Sequence, residues 1–348
     1  VISNLYGSRQ LFRLAALLLL GLAAACDGQQ AAKPLPQQLL QGQTMGTTYS
    51  VKLVDAPAAL DSVRLQSVLD TELQAINQAM STYIDDSDLS RFNQAASGAW
   101  IKVAPSLLTV LAEARHVHEL SDGAFDPSIG PLVNLWGFGP DMQLDIPDKA
   151  AVQAAMAQMG FDELEQDLEK QALKKPHAMY LDFSAIAKGY AVDRLADLLQ
   201  ESGLANFLVE IGGELRASGV NAQHQPWHIA IEKPDPARRA VHAVLKASGL
   251  GMATSGDYRN FYEKDGRRYS HTIDPRTGYP VSHSLVSVTV LAERCMTADA
   301  LATAFMVMGT EAAYKLAEDE QIAAWFVEYH EGELVDRLTP KMQSYRLH

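Results

Sequence analysis

The plainest helical pattern in the chain runs through residues 61–80, DSVRLQSVLDTELQAINQAM. Val63, Leu69, Leu73, Ile76 and Met80 recur there near helical spacing behind Asp61, a side chain suited to accept from the first turn's unpaired N–H groups. A second helix is predicted from Pro105, whose missing N–H costs nothing in a first turn, to about Leu120, with Ser121-Asp122-Gly123 as its stop. DKAAVQAAMAQMG and AKGYAVDRLADLLQESG read as two more helices, each closed by a Gly. Strands gather mainly in the second half. In LVSVTVLAE, Val286, Val288 and Val290 alternate with Ser287 and Thr289, the period of a strand with one face in the core. PWHIAIEK, VHAVLKASG, NFLVEI and IAAWFVEY read similarly. Helices and strands do not alternate regularly enough for a doubly wound parallel sheet. The predicted fold is α+β, an antiparallel β-sheet core with surrounding helices in two closely joined lobes.

The amino-terminal pattern is of another kind. Arg9 and Arg13 precede LAALLLLGLAAA, followed at once by Cys26. The run is too short for an ordinary membrane-spanning helix and has the order of a secretory signal. Small residues before a Cys mark a bacterial lipoprotein, although Ala23 stands where Leu is usual; a plain secreted protein with an incidental Cys is the alternative. Residues 1–25 are therefore expected to be a signal peptide, with lipid on Cys26. Asp27 points to retention on the periplasmic side of the inner membrane. Residues 26–43, rich in Gln, Pro and Gly, read as a flexible tether, which leaves 44–348 as the folded domain.

Composition narrows the function. A content of 47% apolar residues is enough to build a core, and it must do so without a disulfide, because a lipidated Cys26 leaves Cys295 without an intrachain partner. A net charge of -13, with 42 acidic against 29 basic residues and no basic stripe, argues against a nucleic-acid partner.

Familiar catalytic motifs are missing. His116 and His118 lie two apart on a helix, point about 200° from each other, and so cannot share a metal; both are expected at the surface. No HExxH, CxxC, GxSxG or Walker loop occurs, and Gly212-Gly213 reads as a turn or bulge between strands. Oxygen-bearing side chains remain. Asp299 and Thr303, in ERCMTADALATAFMVMG, project from one helical face, and with backbone carbonyls they suit a hard cation such as Mg²⁺ better than zinc. The same residues fit an ordinary helix start, with Thr297 as the N-cap and Asp299 facing the dipole. In LDFSAIAKGYAVD a strand ends at Asp182, and Ser184-Ala185 lead into a helix carrying Lys188 and Gly189. That is either a place for phosphate or a plain strand-to-helix turn. The loop DGAFDPSIGPLVNLWGFGP carries Phe125, Trp136 and Phe138, aromatics that fold over something flat or pack against a core edge. SHTIDPRTGYPV sets His271, Asp274 and Arg276 around turn signals.

In combination these segments carry more. MGTTYSV (Met45–Val51), MSTYIDDSDLSRFN (Met80–Asn93), DGAFDPSIGPLVNLWGFG, LDFSAIAKGYAVD, TSGDYRNFYEKDGRRYSHTIDPRTGYPV and TADALATA, in that order, resemble the ApbE family of FAD:protein FMN transferases. The resemblance implies Mg²⁺ held by the side chains of Asp299 and Thr303 with backbone oxygen from Ala185 and Ala302. It implies FAD contacts at Met45, Ser81, Thr82, Tyr83, Asp122, Gly123, Ala124, Asp182, Lys188 and Ile273, although some members carry another residue in the place of Lys188. His271 falls on the family's SHxIDP histidine, which assists catalysis, with Asp274 as a substitute base. The implied reaction is attack by a Thr hydroxyl of an acceptor protein on the FMN phosphorus of FAD, expelling AMP. The implied acceptors are subunits of sodium-pumping NADH:quinone reductase or related electron-transport complexes, beside which a lipid anchor would hold the enzyme. Two other readings fit the same motifs: a Mg²⁺-dependent FAD pyrophosphatase that uses water, and a non-enzymatic periplasmic flavin-binding lipoprotein.

Overall fold

Eight strands form the main sheet, and their order across it follows their order in the chain. They are β1 (Gln37–Thr44), β2 (Thr47–Val54), β3 (Phe207–Ile211), β4 (Glu214–Ser218), β5 (Gly251–Gly256), β6 (Leu285–Ala292), β7 (Ala323–His330) and β8 (Glu333–Leu338). Every neighbouring pair is antiparallel, the architecture that the sequence pattern predicts. This computed structural model describes residues 33–139, 146–235, 238, 240–257, 261–264 and 267–347, so the signal segment and Cys26 lie outside the described residues. The chain divides after Pro34; of Val1–Pro34 only Lys33 and Pro34 are described, and Leu35–His348 is the compact unit.

The first strand corrects the extent of the tether. Gln37–Thr44 pairs with β2 along its whole length, and the chain reverses at Met45-Gly46, where φ is 50° and 70°. Only Leu40 and Thr44 of this edge strand are buried, so its glutamines face outward or sideways. A polar composition that resembles a linker belongs here to a strand with little core to cover.

Five helices, α1 (Ser62–Met80), α2 (Pro105–Leu120), α3 (Ala187–Glu201), α4 (Cys295–Met308) and α5 (Thr310–Asp319), share one large core with the sheet. Asp61 caps α1 by accepting from the Arg64 N–H at 2.9 Å. The buried stripe of α1 starts at Leu65 and continues through Leu69, Leu73, Ile76 and Met80, whereas Val63, two residues and so about 200° round the helix from Leu65, is 83% exposed. On the opposite sheet face, the hairpin His228–Glu232/Val241–Lys246 brings Ile229 and Leu245 against Leu215, Leu291 and Trp325. With cover on both faces, β6 buries Ser287 and Thr289 as well as Val288 and Val290, and leaves Val286 half-buried; the half-buried reading fails for that reason. Thr289 meets its burial requirement through Thr254, hydroxyl to hydroxyl at 2.9 Å.

His118 departs from its expected surface position. It is buried at the end of α2, with Nδ1 2.8 Å from the Phe125 carbonyl; since a carbonyl only accepts, Nδ1 carries the proton. Trp136 packs with Leu132, Val152 and Ile273 in a smaller core and donates its indole N–H to the Gly278 carbonyl at 2.9 Å. Trp136 thus takes the core-edge outcome, whereas Phe125 and Phe138 line a cleft.

Candidate active site

The first turn of α4 is built by its neighbours. Its N-cap is Arg294 rather than Thr297, whose hydroxyl instead donates to Glu113 at 2.6 Å. The leading N–H groups of Cys295 and Met296 both donate to the buried Asp193 carboxylate of α3, at 3.0 Å each. Two glycines let backbone come close enough for this. A Cβ at Gly189 would lie 2.5 Å from the Cys295 carbonyl oxygen, and one at Gly251 would overlap the Cys295 nitrogen. Cys295 itself is buried and unpaired among the described residues. One turn further on, α4 presents Asp299 and Thr303 to a cleft of about 460 Å³.

Lys188, Glu214, Ser255 and His271 line the same cleft. Asp299 is 3% exposed and its Oδ2 accepts from the Gly189 N–H at 2.9 Å. The Lys188 ammonium sits 3.9 Å from that oxygen and 3.5 Å from Glu214 Oε1. Glu214 is 5% exposed, and its Oε2 is buried with no hydrogen-bond partner among the described residues. Burial pushes the Glu214 carboxyl up to about 8, against the pull of the Lys188 ammonium. Burial raises Asp299 too, opposed by Lys188 and by the Gly189 N–H. For Lys188, burial acts downward, but the Asp299 and Glu214 carboxylates outweigh it and hold the ammonium above the ordinary lysine range. Thr303 Oγ1 lies 3.2 Å from Ser255 Oγ.

The turn that enters α3 forms another wall. Asp182 accepts from the Ser184 N–H at 2.7 Å and from the Ser184 hydroxyl, and the Asp182 N–H donates to the Pro127 carbonyl at 2.8 Å. These bonds fix Ala185 on the cleft wall. His271 stands edge-on to Phe138, ring centroids 6.3 Å apart. A second cavity of about 910 Å³ contains Met45, Ser81 and Thr82 and shares Tyr83, Ser184 and Lys188 with the first. Together they offer space of a size suited to a dinucleotide.

The structure therefore gathers Ala185, Asp299, Thr303, His271, Lys188, Asp182, Ala124, Ile273 and Tyr83 around one cleft, with Met45, Ser81 and Thr82 next door. It does not place Asp274 there. Both Asp274 carboxylate oxygens are engaged by the Arg276 guanidinium, at 2.9 and 3.0 Å, because the two residues share a tight turn. Asp122 and Gly123 form the left-handed turn after α2, with φ of 51° and 74°, and leave only Ala124 on the wall; Ala302 is buried within α4. Glu214 and Asp193 escaped the sequence reading. A carboxylate opening an apolar strand directly after Gly212-Gly213 was the available signal for the first; nothing local marked the second.

The donor set is one of hard oxygens. No group of three His, Cys, Asp or Glu side chains is assembled for a metal among the described residues. One buried carboxylate, a hydroxyl and a carbonyl nevertheless fit Mg²⁺, which keeps several of its waters. An ammonium already placed between two buried carboxylates shows that the pocket accommodates positive charge.

The ApbE family model matches residues 45–326. The FAD:protein FMN transferase of Vibrio cholerae serotype O1 is 48% identical over 314 residues, 90% of this chain and 91% of that protein. The FAD:protein FMN transferase of Salmonella typhimurium is 43% identical over 324 residues, covering 92% and 91%. The solved structure of the flavin transferase ApbE from Vibrio cholerae superposes with a TM-score of 0.83 at 43% identity, over 90% of this chain and 100% of that one.

Proposed function

This chain belongs to the ApbE family and is a flavin transferase, and from that premise we propose that it moves the FMN moiety of FAD onto a Thr hydroxyl of an acceptor protein, with Mg²⁺ held at Asp299, Thr303 and the Ala185 carbonyl. The observation that carries this reading is the meeting of Lys188, His271, Asp299 and Thr303 in one cleft that adjoins a second cavity. In the reaction an oxygen–phosphorus bond forms between the Thr hydroxyl and the FMN phosphate. The bond from that phosphorus to the bridging oxygen breaks, and AMP leaves with its own phosphate. His271 takes the hydroxyl proton on a ring nitrogen. Lys188 offers its ammonium to a phosphate oxygen. The pinned Asp182–Ser184 turn holds the wall against which the pyrophosphate is aligned. Mg²⁺, when bound, would neutralise charge developing on the phosphate oxygens.

The acceptors that fit this reading are subunits of sodium-pumping NADH:quinone reductase or related electron-transport complexes. Lipid on Cys26 would hold the enzyme beside them, on the periplasmic side of the inner membrane; no helix among the described residues is long and apolar enough to cross a membrane. The test incubates the purified protein with FAD, Mg²⁺ and a candidate acceptor. A gain of one FMN on an acceptor Thr, with AMP released, supports transfer. Free FMN and AMP without labelling would make the enzyme a pyrophosphatase, and bound, unchanged FAD would make it a carrier. Cys26→Ser is expected to move the protein from the membrane fraction to the soluble periplasm.

A further inference from the structure

Two buried acids share the Lys188 ammonium, and neither holds it closely: the separations are 3.5 Å to Glu214 and 3.9 Å to Asp299. Asp299 does not depend on that ammonium for its position, because the Gly189 N–H fixes Oδ2 at 2.9 Å. Glu214 has an acceptor to spare, since Oε2 is buried on the cleft side of the strand with no partner among the described residues. The Lys188 side chain is 27% exposed, so its end lies at the cleft rather than locked inside the core. Gly212 flanks the stem, and a Cβ there would lie 3.5 Å from the Lys188 Cδ and 2.9 Å from the Thr47 methyl, so the glycine keeps one more side chain from crowding the lysine.

We propose that Lys188 is an internal counter-cation which a divalent metal displaces from Asp299, and that Glu214 is the positioning residue that receives its ammonium. The inference rests on the metal reading given above. A divalent cation at Asp299 and an ammonium 3.9 Å from the same oxygen repel each other strongly in a site of low dielectric. The flexible lysine stem moves more readily than a carboxylate held by backbone. Transfer to the unpartnered Glu214 oxygen removes the repulsion and satisfies a buried acceptor in one motion. The ammonium then remains on the cleft wall, within reach of a substrate phosphate, while Asp299 is left open to the metal. Glu214 in this account never touches the metal; it acts through Lys188.

The test titrates Mg²⁺ alone, without FAD, into the full-length protein and its variants by calorimetry. Lys188→Met is expected to bind Mg²⁺ at least about tenfold tighter, because the competing cation is gone. Glu214→Gln in the wild-type background is expected to bind more weakly, because the lysine has lost its alternative seat. In the Lys188→Met background, Glu214→Gln is expected to have a much smaller effect. Unchanged or weaker binding by Lys188→Met overturns the proposal. An equally large loss from Glu214→Gln in both backgrounds also overturns it, by making Glu214 a metal ligand. Asp299→Ala separates the premise from the inference: if it binds Mg²⁺ as well as wild type does, the metal site is misplaced and the inference falls with it. Since Lys188→Met could unfold by leaving two buried carboxylates uncompensated, a crystal of the wild-type protein soaked in Mg²⁺ provides an independent reading. The ammonium is expected within hydrogen-bond distance of Glu214 and away from Asp299; an ammonium that has not moved refutes the exchange.

Discussion

The Gly189 backbone N–H donates to Asp299 Oδ2 across two helices at 2.9 Å, and the absence of a side chain on Gly189 is what allows it. A Cβ there would lie 2.5 Å from the Cys295 carbonyl oxygen and 2.8 Å from the Asp299 Cβ. The acid most central to the site is thus held by a main-chain donor, at a point where α3 and α4 pack backbone to backbone.

Gly189→Ala should accordingly separate the two helices. Because the obstructing atoms include main chain, relief by rotamer change is closed, and the expected cost is about 1–3 kcal/mol of overpacking. Urea denaturation measures it. A midpoint equal to wild type would show that the helices yield freely and that close approach is not required.

Asp299→Asn keeps the volume and an acceptor for Gly189 while removing the charge. Mg²⁺-dependent release of AMP from FAD is expected to vanish in this variant, followed by chromatography of the products. Undiminished turnover would remove Asp299 from the metal site.

His271 and Asp274 should part company in kinetics. His271→Ala is expected to lower transfer by about 10²–10⁴-fold with FAD affinity largely kept. Asp274→Asn is expected to stay within a few-fold of wild type, because both carboxylate oxygens serve the Arg276 guanidinium in a turn away from the cleft. That ion pair is partly exposed, so its loss should cost no more than about 1 kcal/mol. Initial rates with a saturating acceptor decide the matter, and a large rate loss in Asp274→Asn would restore it as a base.

Stability of the metal-free protein should carry the signature of Glu214. Its carboxyl is raised by burial from 4.5 to about 8, so the folded state binds that proton more tightly than the unfolded chain. The stability this supplies is complete below the unfolded value and is lost as pH rises through about 8. Relative to Glu214→Gln, wild type should lose up to about 1.4 kcal/mol per pH unit across that window. Denaturation curves from pH 5 to 9 read the difference; a constant offset between the two proteins would refute a raised carboxyl.

Much of this architecture was legible because its signals are local. Asp61 caps α1 and Pro105 opens α2 where a cap and a first-turn proline belong, and the alternating segments became strands. Readings failed where a long-range neighbour decided the outcome. Thr297 could have capped its own helix, but Asp193 took the N–H groups of Cys295 and Met296 and Glu113 took the Thr297 hydroxyl. His118 looked solvated until the following loop brought its Phe125 carbonyl to Nδ1. A Gln-rich segment read as tether became an edge strand because β2 supplied partners for its backbone, which composition does not register.

The sequence by itself determined most element types, the antiparallel α+β class and, through its motifs, the family, and it singled out Asp299, Thr303, Lys188 and His271 as candidates. Periodicity, caps and motif spacing express short-range preferences that act on each segment alone. Only the tertiary structure decided that Lys188 lies between Glu214 and Asp299, that Asp274 is spent on Arg276, and that Gly189 anchors the central carboxylate. Those outcomes depend on burial, which sets how strongly charges act on one another, and on which backbones come close enough to touch. Neither quantity exists until α3, α4 and the sheet have packed.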